Sequence, residues 1–501
     1  MSGARKQNTN EKKTDLSATG IVRLAEKAQV KLFHTAGREA FASFWVRDHW
    51  ENCLVKSTAF QVWLSGMCYH QEGGVPSQKA LTEATNTFAA DALYASPEKR
   101  VFVRIAEHND EIYLDLGNDS WESIKITGEG WQVVPHTPVK FVRAPGMQAL
   151  PHPIDGGRID ALRPFLNLCD DDQWKLAVSW LMGALRPAGH CPILIVEGTH
   201  GSTKSTVSKV LRSLVDPNIA PLRSAPTNSR DLAISASNSW CLGFDNISSV
   251  RPWLSDALCQ LCTGSGFSTR ALYTDGDEKI FHGKRPVLLN GIDMCIERAD
   301  LLDRAILISL SPISEEDRET EAEFWDKFET LRPSIFGTLL DAVACAMSRV
   351  RKITVPRLPR MADFAKWVCA AEPALGWPEG SFLDAYRRNR EVGNNLALEV
   401  SPLVEPIQRI VARGSWQGTA TELQSVVANE LLDCQHSAQG TYPKTAREFS
   451  MSLRRLAPNL LQVGITVEFS RTSGNNSERI VTIRNSSDDA TQTQLQESIK
   501  E

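Results

Sequence analysis

Residues 192–212 read PILIVEGTHGSTKSTVSKVLR. Ile193 to Val196 is a short apolar, β-branched run of the kind that fills a parallel strand buried on both faces. The loop Gly198-Thr199-His200-Gly201-Ser202-Thr203-Lys204-Ser205 follows, and from Thr206 onwards Val207, Val210 and Leu211 recur at helical spacing. Binding a phosphate chain needs these parts in this order. Glycines let successive backbone N–H groups turn toward one anion, and the helix that follows aims its positive end at the same point. Lys204 then reaches the β- and γ-phosphates, and the Ser205 hydroxyl ligates Mg²⁺. The strict pattern has glycine before the lysine; Thr203 stands there instead, while Gly201 keeps one flexible point inside the loop. Residues 198–206 are therefore expected to hold ATP with Mg²⁺.

A nucleotide switch also needs an acid for its metal at the end of a neighbouring strand. Ser239-Trp-Cys-Leu-Gly-Phe-Asp245-Asn246 is an apolar run that ends in one, and such an aspartate completes the Mg²⁺ shell. Many motors follow this acid with a glutamate that activates water. Asn246 stands here; its amide can orient water but cannot accept a proton, so the base is unassigned, with Glu197 and Asp256 the nearest other acids in sequence. Arg285-Pro-Val-Leu-Leu-Asn290-Gly291 is a third strand. Asn290 at its tip suits a sensor of the γ-phosphate or attacking water, or else marks an Asn-Gly turn. Arg304, in RADLLDRAILISL (298–310), precedes an apolar strand. It is either a surface partner of Asp300 or Asp303, or an arginine finger that reaches the γ-phosphate of the next subunit.

Phosphate loop, Asp-ended strand, hairpin segment, Asn-ended strand and Leu-Leu-Asp-Arg, in that order over roughly 190–345, resemble the superfamily III helicases and AAA+ ATPases of phages, plasmids and integrated elements, of the primase–helicase type. The resemblance implies an α/β fold with a P-loop NTPase core, a homo-oligomer, usually a six-membered ring, and DNA threaded through it. Residues 263–286, TGSGFSTRALYTDGDEKIFHGKRP, are similar to the segment that carries a channel-facing β-hairpin in that family. Arg270, Tyr273, Lys279, Lys284 and Arg285 match it in kind, and basic groups interleaved with aromatics suit a nucleic-acid strand. Asp275, Asp277 and Glu278 dilute its charge. Thr203 and Asn246 depart from the family pattern, and both bear on turnover.

Outward from this core, the 501 residues predict about three domains. We expect a disordered tail over 1–19, an N-terminal α+β domain over 20–156, the ATPase core over 157–350, a helical linker over 351–397, a winged-helix-like domain over 398–486 and a second disordered tail over 487–501. Period-two runs between 100 and 145, punctuated by Gly117-Asn118-Asp119 and Gly128-Glu129-Gly130, predict antiparallel hairpins. Ser77 to Leu93 and Asp170 to Leu185 predict helices, and Thr419-Ala-Thr-Glu422 fits a capping box. In the last domain Lys444 to Leu456 predicts a basic helix, followed by two strands within 464–484, from which Arg454, Arg455, Arg471 and Arg479 would contact phosphates.

With 42% hydrophobic and 23% charged residues, the chain is neither fibrous nor mainly disordered. A net charge of −5 excludes a uniformly basic DNA coat. Eleven scattered cysteines predict reduced thiols, and no apolar run approaches a membrane span, so a cytoplasmic protein without a membrane partner is expected. Cys259-Gln-Leu-Cys262 lacks the second pair that structural zinc needs. Two function classes follow. One is an ATP-dependent helicase or translocase acting on single-stranded or forked DNA in mobile-element replication, with any primase activity on a separate chain. The other is a nucleotide-gated loader, origin-binding factor or scaffold with little or no hydrolysis.

Overall fold

The computed structural model describes residues 16–199, 201–265, 267–270, 278–281, 283–291, 298–313, 316, 318–432, 442–471 and 478–485. Residues 1–15 and 486–501, which hold most of the two expected tails, lie outside the described residues, as do His200 and Tyr273. The first helix begins at Ala18, earlier than the expected domain start, because the Ser17 hydroxyl accepts the Gly20 N–H and caps it.

The chain forms two compact units. The first comprises Met1–His152 with Asp216–Ile219 and Asn238–Trp240. Its sheet Lys31–His34, Ala40–Val46, His49–Leu54 is antiparallel, in sequence order. One face of it packs on the helices Thr58–Glu72 and Gln78–Tyr94, where Ala42, Phe44, Phe60, Leu64 and Phe88 are buried together. A second antiparallel sheet, Ile105–His108, Glu111–Asp115, Ser123–Thr127 and Gly130–Val134, meanders as the period-two runs predict. A buried ion pair sits in this unit: Arg104 Nε donates to Asp216 Oδ1 at 3.0 Å, and its Nη1 donates to Asp115 O at 3.0 Å.

The second unit comprises Pro153–Val215, Ala220–Ser237 and Cys241–Glu501. Its centre is a sheet of four strands, here β1 (Ile193–Gly198), β2 (Leu242–Phe244), β3 (Val287–Gly291) and β4 (Ala305–Leu310). They run parallel in the spatial order β2-β3-β1-β4. The chain moves to one side of β1 for β2 and β3, then crosses to the other side for β4. In such sheets the crevice beyond the carboxyl ends of the strands, at the point where the order reverses, is where ligands bind. That point lies beside β1. Trp174 and Trp180, on the helix Asp171–Ala184, are buried, and Asp170 caps that helix through the Gln173 N–H.

Beyond the sheet run the helices Glu321–Arg349, Ala362–Ala371 and Ser381–Val400. The last segment has the order helix Val404–Ala412, strand Trp416–Thr419, helices Ala420–Leu432 and Ala446–Gln462, then strands Ile465–Arg471 and Arg479–Asn485. Glu422 and Thr419 form the expected capping box, with Thr419 N to Glu422 Oε2 at 2.7 Å and Glu422 N to Thr419 Oγ1 at 3.3 Å. The strand Trp416–Thr419 was not expected; it forms by antiparallel pairing with Arg479–Asn485, a long-range contact that four residues including Gly418 do not announce.

Candidate nucleotide-binding site

The loop leaves β1 at Gly198 and enters the helix Lys204–Ser213. Gly198 is required by close approach: a Cβ there would lie 2.4 Å from Ser202 Oγ and 3.2 Å from Leu310 O. Ser202 is buried, and its hydroxyl donates to Thr199 O at 2.8 Å, which folds the loop onto itself. Gly201 has φ +79°, and Thr203 has φ +61°. The place where the strict pattern has glycine thus keeps the left-handed backbone that glycine favours, and a β-branched side chain is strained there. Thr203→Gly is expected to raise stability by about 1 kcal/mol, the relieved strain exceeding the added chain entropy; the shift of the urea midpoint at constant slope measures it.

Lys204 Nζ donates to Gly198 O and Thr199 O, each at 2.7 Å. Its ammonium therefore rests over the loop, beside the backbone that a phosphate chain would approach. Ser205 Oγ donates to Asp245 Oδ1 at 3.0 Å and lies 3.3 Å from Oδ2. Asp245 is half-buried just past the end of β2. A hydroxyl and a carboxylate, both hard oxygen donors, are the set that Mg²⁺ takes from protein while keeping several of its waters.

Asn290 lies within β3 and is 1% exposed, so Asn290-Gly291 is strand and not turn. Its Oδ1 accepts the Asn246 N–H at 3.0 Å, and its Nδ2 donates to Ser208 Oγ at 3.1 Å. The amide thereby fixes the Asp245-Asn246 corner against the helix that follows the loop. The backbone repeats the tie through Ile247 N to Asn290 O at 2.9 Å. Asn246 is exposed with φ +56°. Ser208 escapes sequence reasoning, because its link to Asn290 exists only once β3 is placed beside β1.

Arg304 is not at this corner. It precedes β4 and accepts the Ile193 N–H through its own carbonyl, so it sits at the amino edge of the sheet. The length of β4, at roughly 3.3 Å per residue, separates it from the loop by on the order of 20 Å. Its Nη1 donates to Asp300 O at 2.8 Å. The neighbouring carboxylates have other partners: Arg298 holds Asp256 and Asp300, while Arg360 and Arg390 hold Asp303. Asp256 is thus a structural ion-pair partner.

The hairpin segment is present as antiparallel strands Phe267–Arg270 and Glu278–Phe281, with Arg270 opposite Glu278 and Thr269 opposite Lys279. The side chains of Arg270 and Lys279 lie outside the described residues, like the whole of Tyr273. Lys284 corrects the expectation made for it. It is 6% exposed, and its Nζ donates to Gly183 O at 2.8 Å and Arg186 O at 2.5 Å. Carbonyls at the end of the helix Asp171–Ala184 take up this ammonium, as helix C-termini do with cations, and burial pulls its pKa down to about 8. It is a helix-end partner and not a DNA contact. Arg285 is likewise engaged, donating to Ala236 O and Lys284 O.

In the last segment Arg454, Arg455, Arg471 and Arg479 are all exposed. Arg454 stacks on the Phe469 ring at 3.7 Å. Arg471 and Arg479 stand directly opposite one another across the hairpin.

The carboxyl edge of this parallel α/β sheet thus gathers a lysine, a hydroxyl, a carboxylate and a buried amide. Residues 159–392 match the family described as the actinomycete integrative conjugative element replication protein, and residues 401–496 match that described as the AICE RepA C-terminal domain. Across these two stretches the chain is a replication protein of an integrative conjugative element. No curated protein matches it significantly. Among solved structures, an apo form of the NrS-1 C-terminal region (305–718) is 11% identical with a TM-score of 0.40, over 92% of this chain and 98% of that one. A ligand-bound JCV helicase is 11% identical with a TM-score of 0.21, over 45% and 66%. Among the described residues, no helix is long and apolar enough to cross a membrane.

Proposed function

We propose that this chain is a P-loop ATPase of the AAA+/superfamily III kind that drives DNA translocation or unwinding during replication of its element. The observation that carries the proposal is the Ser205–Asp245 contact, 3.0 Å, at the carboxyl edge of the parallel sheet beside its switch point. Residues 198–206 would cradle the triphosphate, Lys204 would neutralise its β- and γ-oxygens, and Ser205 with Asp245 would hold Mg²⁺. Held by Ser205 and Asp245, Mg²⁺ would supply positive charge that offsets the negative charge on the phosphate oxygens. Asn290 acts as a positioning residue for the Asp245 corner. Arg304, too far from its own loop, would serve the loop of a neighbouring copy in a ring.

DNA contact is supported by the replication family and by the arginines of the winged-helix-like segment. Arg471 and Arg479 face each other as like charges, an arrangement that weakens a hairpin on its own and that a phosphate between them would relieve. The hairpin arginine and lysine, Arg270 and Lys279, remain in the proposed DNA set with Tyr273, and Lys284 leaves it.

A nucleotide-gated loader or scaffold is the second reading, and Asn246 favours it, because no proton acceptor follows Asp245. Phosphate release with and without single-stranded or forked DNA decides between them. The motor requires release that DNA stimulates at least tenfold; ATP-dependent DNA binding with no release would replace it by the switch.

A further inference from the structure

The three-stranded sheet of the first unit has two unlike faces. Side chains alternate along a strand, so Ala42 and Phe44 enter the helix-covered core while Lys31, Phe33, Ser43, Trp45, Trp50 and Asn52 belong to the other face. At one end that second face is open. Trp45 is 40% exposed; its ring meets Trp50 edge-on at 5.4 Å and lies 6.2 Å from the His136 ring. Lys31 Nζ stands 4.3 Å from the centre of the Trp50 ring. A neighbouring segment brings in Lys140, 5.9 Å over Phe33, and Asn52 Nδ2 anchors that segment by donating to Phe141 O at 3.0 Å.

Lys99 joins Lys31 and Lys140 at the end of the strand Lys31–His34, where its backbone N–H donates to His34 O at 2.8 Å. Burial, together with the charges of Lys99 and Lys31, pulls the Lys140 ammonium down to about 8. Among the described residues, none of these three lysines is paired with a carboxylate. Like charges gathered without a counter-ion oppose folding, and Lys31 lies over the half-buried Trp50, whose ring meets the exposed Trp45. An anion would relieve the repulsion, and a flat unsaturated ring would cover the exposed face of Trp45.

We propose that this face binds single-stranded DNA, with phosphates on Lys31, Lys99 and Lys140 and a base stacked on Trp45. Cations that track a backbone beside aromatics that accept bases are the means by which proteins hold unpaired strands without reading sequence. A duplex hides its base faces and offers only the phosphates. The replication reading above serves only to select DNA among polyanions; the surface itself is built from residues of the first unit alone.

The test uses the full chain without nucleotide and a fluorescent oligothymidylate, read by anisotropy over a salt series. The double variant Lys31→Glu/Lys99→Glu is expected to weaken binding at least tenfold and to flatten the log–log salt slope by about 1.4, the share of two single-strand phosphate contacts at about 0.7 each. Trp45→Ala, at an exposed site, is expected to weaken it by about fivefold to a hundredfold, the range for one base–aromatic stack, and to remove part of the tryptophan quenching that DNA causes. Arg454→Glu/Arg455→Glu is the comparison. If that pair alone lowers affinity while the Lys31/Lys99 and Trp45 variants bind as the parent does, this surface is overturned and the DNA reading survives. If the parent chain fails to bind the oligonucleotide, both fall. A Trp45→Ala chain that loses duplex and single strand equally overturns the stacked base.

Discussion

Lys204→Ala is expected to lose ATP affinity by about a hundredfold to ten-thousandfold. In the proposed complex its ammonium replaces two carbonyl contacts by two charge-assisted bonds to phosphate, worth roughly 1.5–3 kcal/mol each. The fold should not suffer. Lys204 is half-exposed, and the carbonyls it now meets, Gly198 O and Thr199 O, belong to a loop that Ser202 holds from within. Titration of a fluorescent ATP analogue, with and without Mg²⁺, measures the loss. An unchanged melting temperature shows that it is local. Unaltered ATP affinity in the variant would mean that the loop does not wrap a triphosphate, and both functional readings would end there.

Thr203 makes this experiment sharper. Thr203→Gly restores the strict pattern while leaving Lys204 and Ser205 in place, so it should relieve strain without removing any proposed ligand. Loss of nucleotide in Lys204→Ala beside its retention in Thr203→Gly separates the chemistry of the ammonium from the shape of the loop.

The strand, loop and helix at 193–213 were legible because their signals are local: β-branched residues, glycines, then apolar positions at helical spacing. The apolar run that ends at Asp245 was legible for the same reason. What joins them was not. Asn290 could be placed at a strand end, yet its grip on Asn246 and Ser208 depends on β3 lying between β1 and β2, which no stretch of sequence states. Lys284 shows the opposite failure. Beside Arg285 and Lys279 it has the composition of a DNA contact, but its stem is buried and its charge is taken by the carbonyls that end a helix a hundred residues earlier. Charge pattern along a chain reports the sign of a segment and not the direction in which each side chain points. The lysines of the first unit escaped for that reason too, since Lys31, Lys99 and Lys140 come from three separate stretches.

Arg304→Ala is expected to leave ATP binding intact and to lower turnover of the assembled protein by about 10³- to 10⁵-fold, the contribution of an arginine finger. Arg304 precedes β4 at the edge of the sheet opposite the phosphate loop, on the order of 20 Å from it at about 3.3 Å per strand residue, so no rotamer brings it to its own nucleotide. Its charge acts on the Asp300 carboxylate, but among the described residues its guanidinium makes no direct ion pair. Arg298 occupies Asp256 and Asp300, and Arg360 and Arg390 occupy Asp303, while the Arg304 guanidinium donates to the Asp300 carbonyl. A residue needed only for the fold would make a different prediction: its loss would lower the melting temperature and would not be mended by another subunit. Mixing Arg304→Ala with Lys204→Ala distinguishes the two. Each is inactive alone, but a mixed ring contains interfaces in which an intact loop meets an intact arginine, and turnover should return at those interfaces. Stoichiometric mixing with no recovery, while both chains still assemble together, would show that Arg304 does not act in trans.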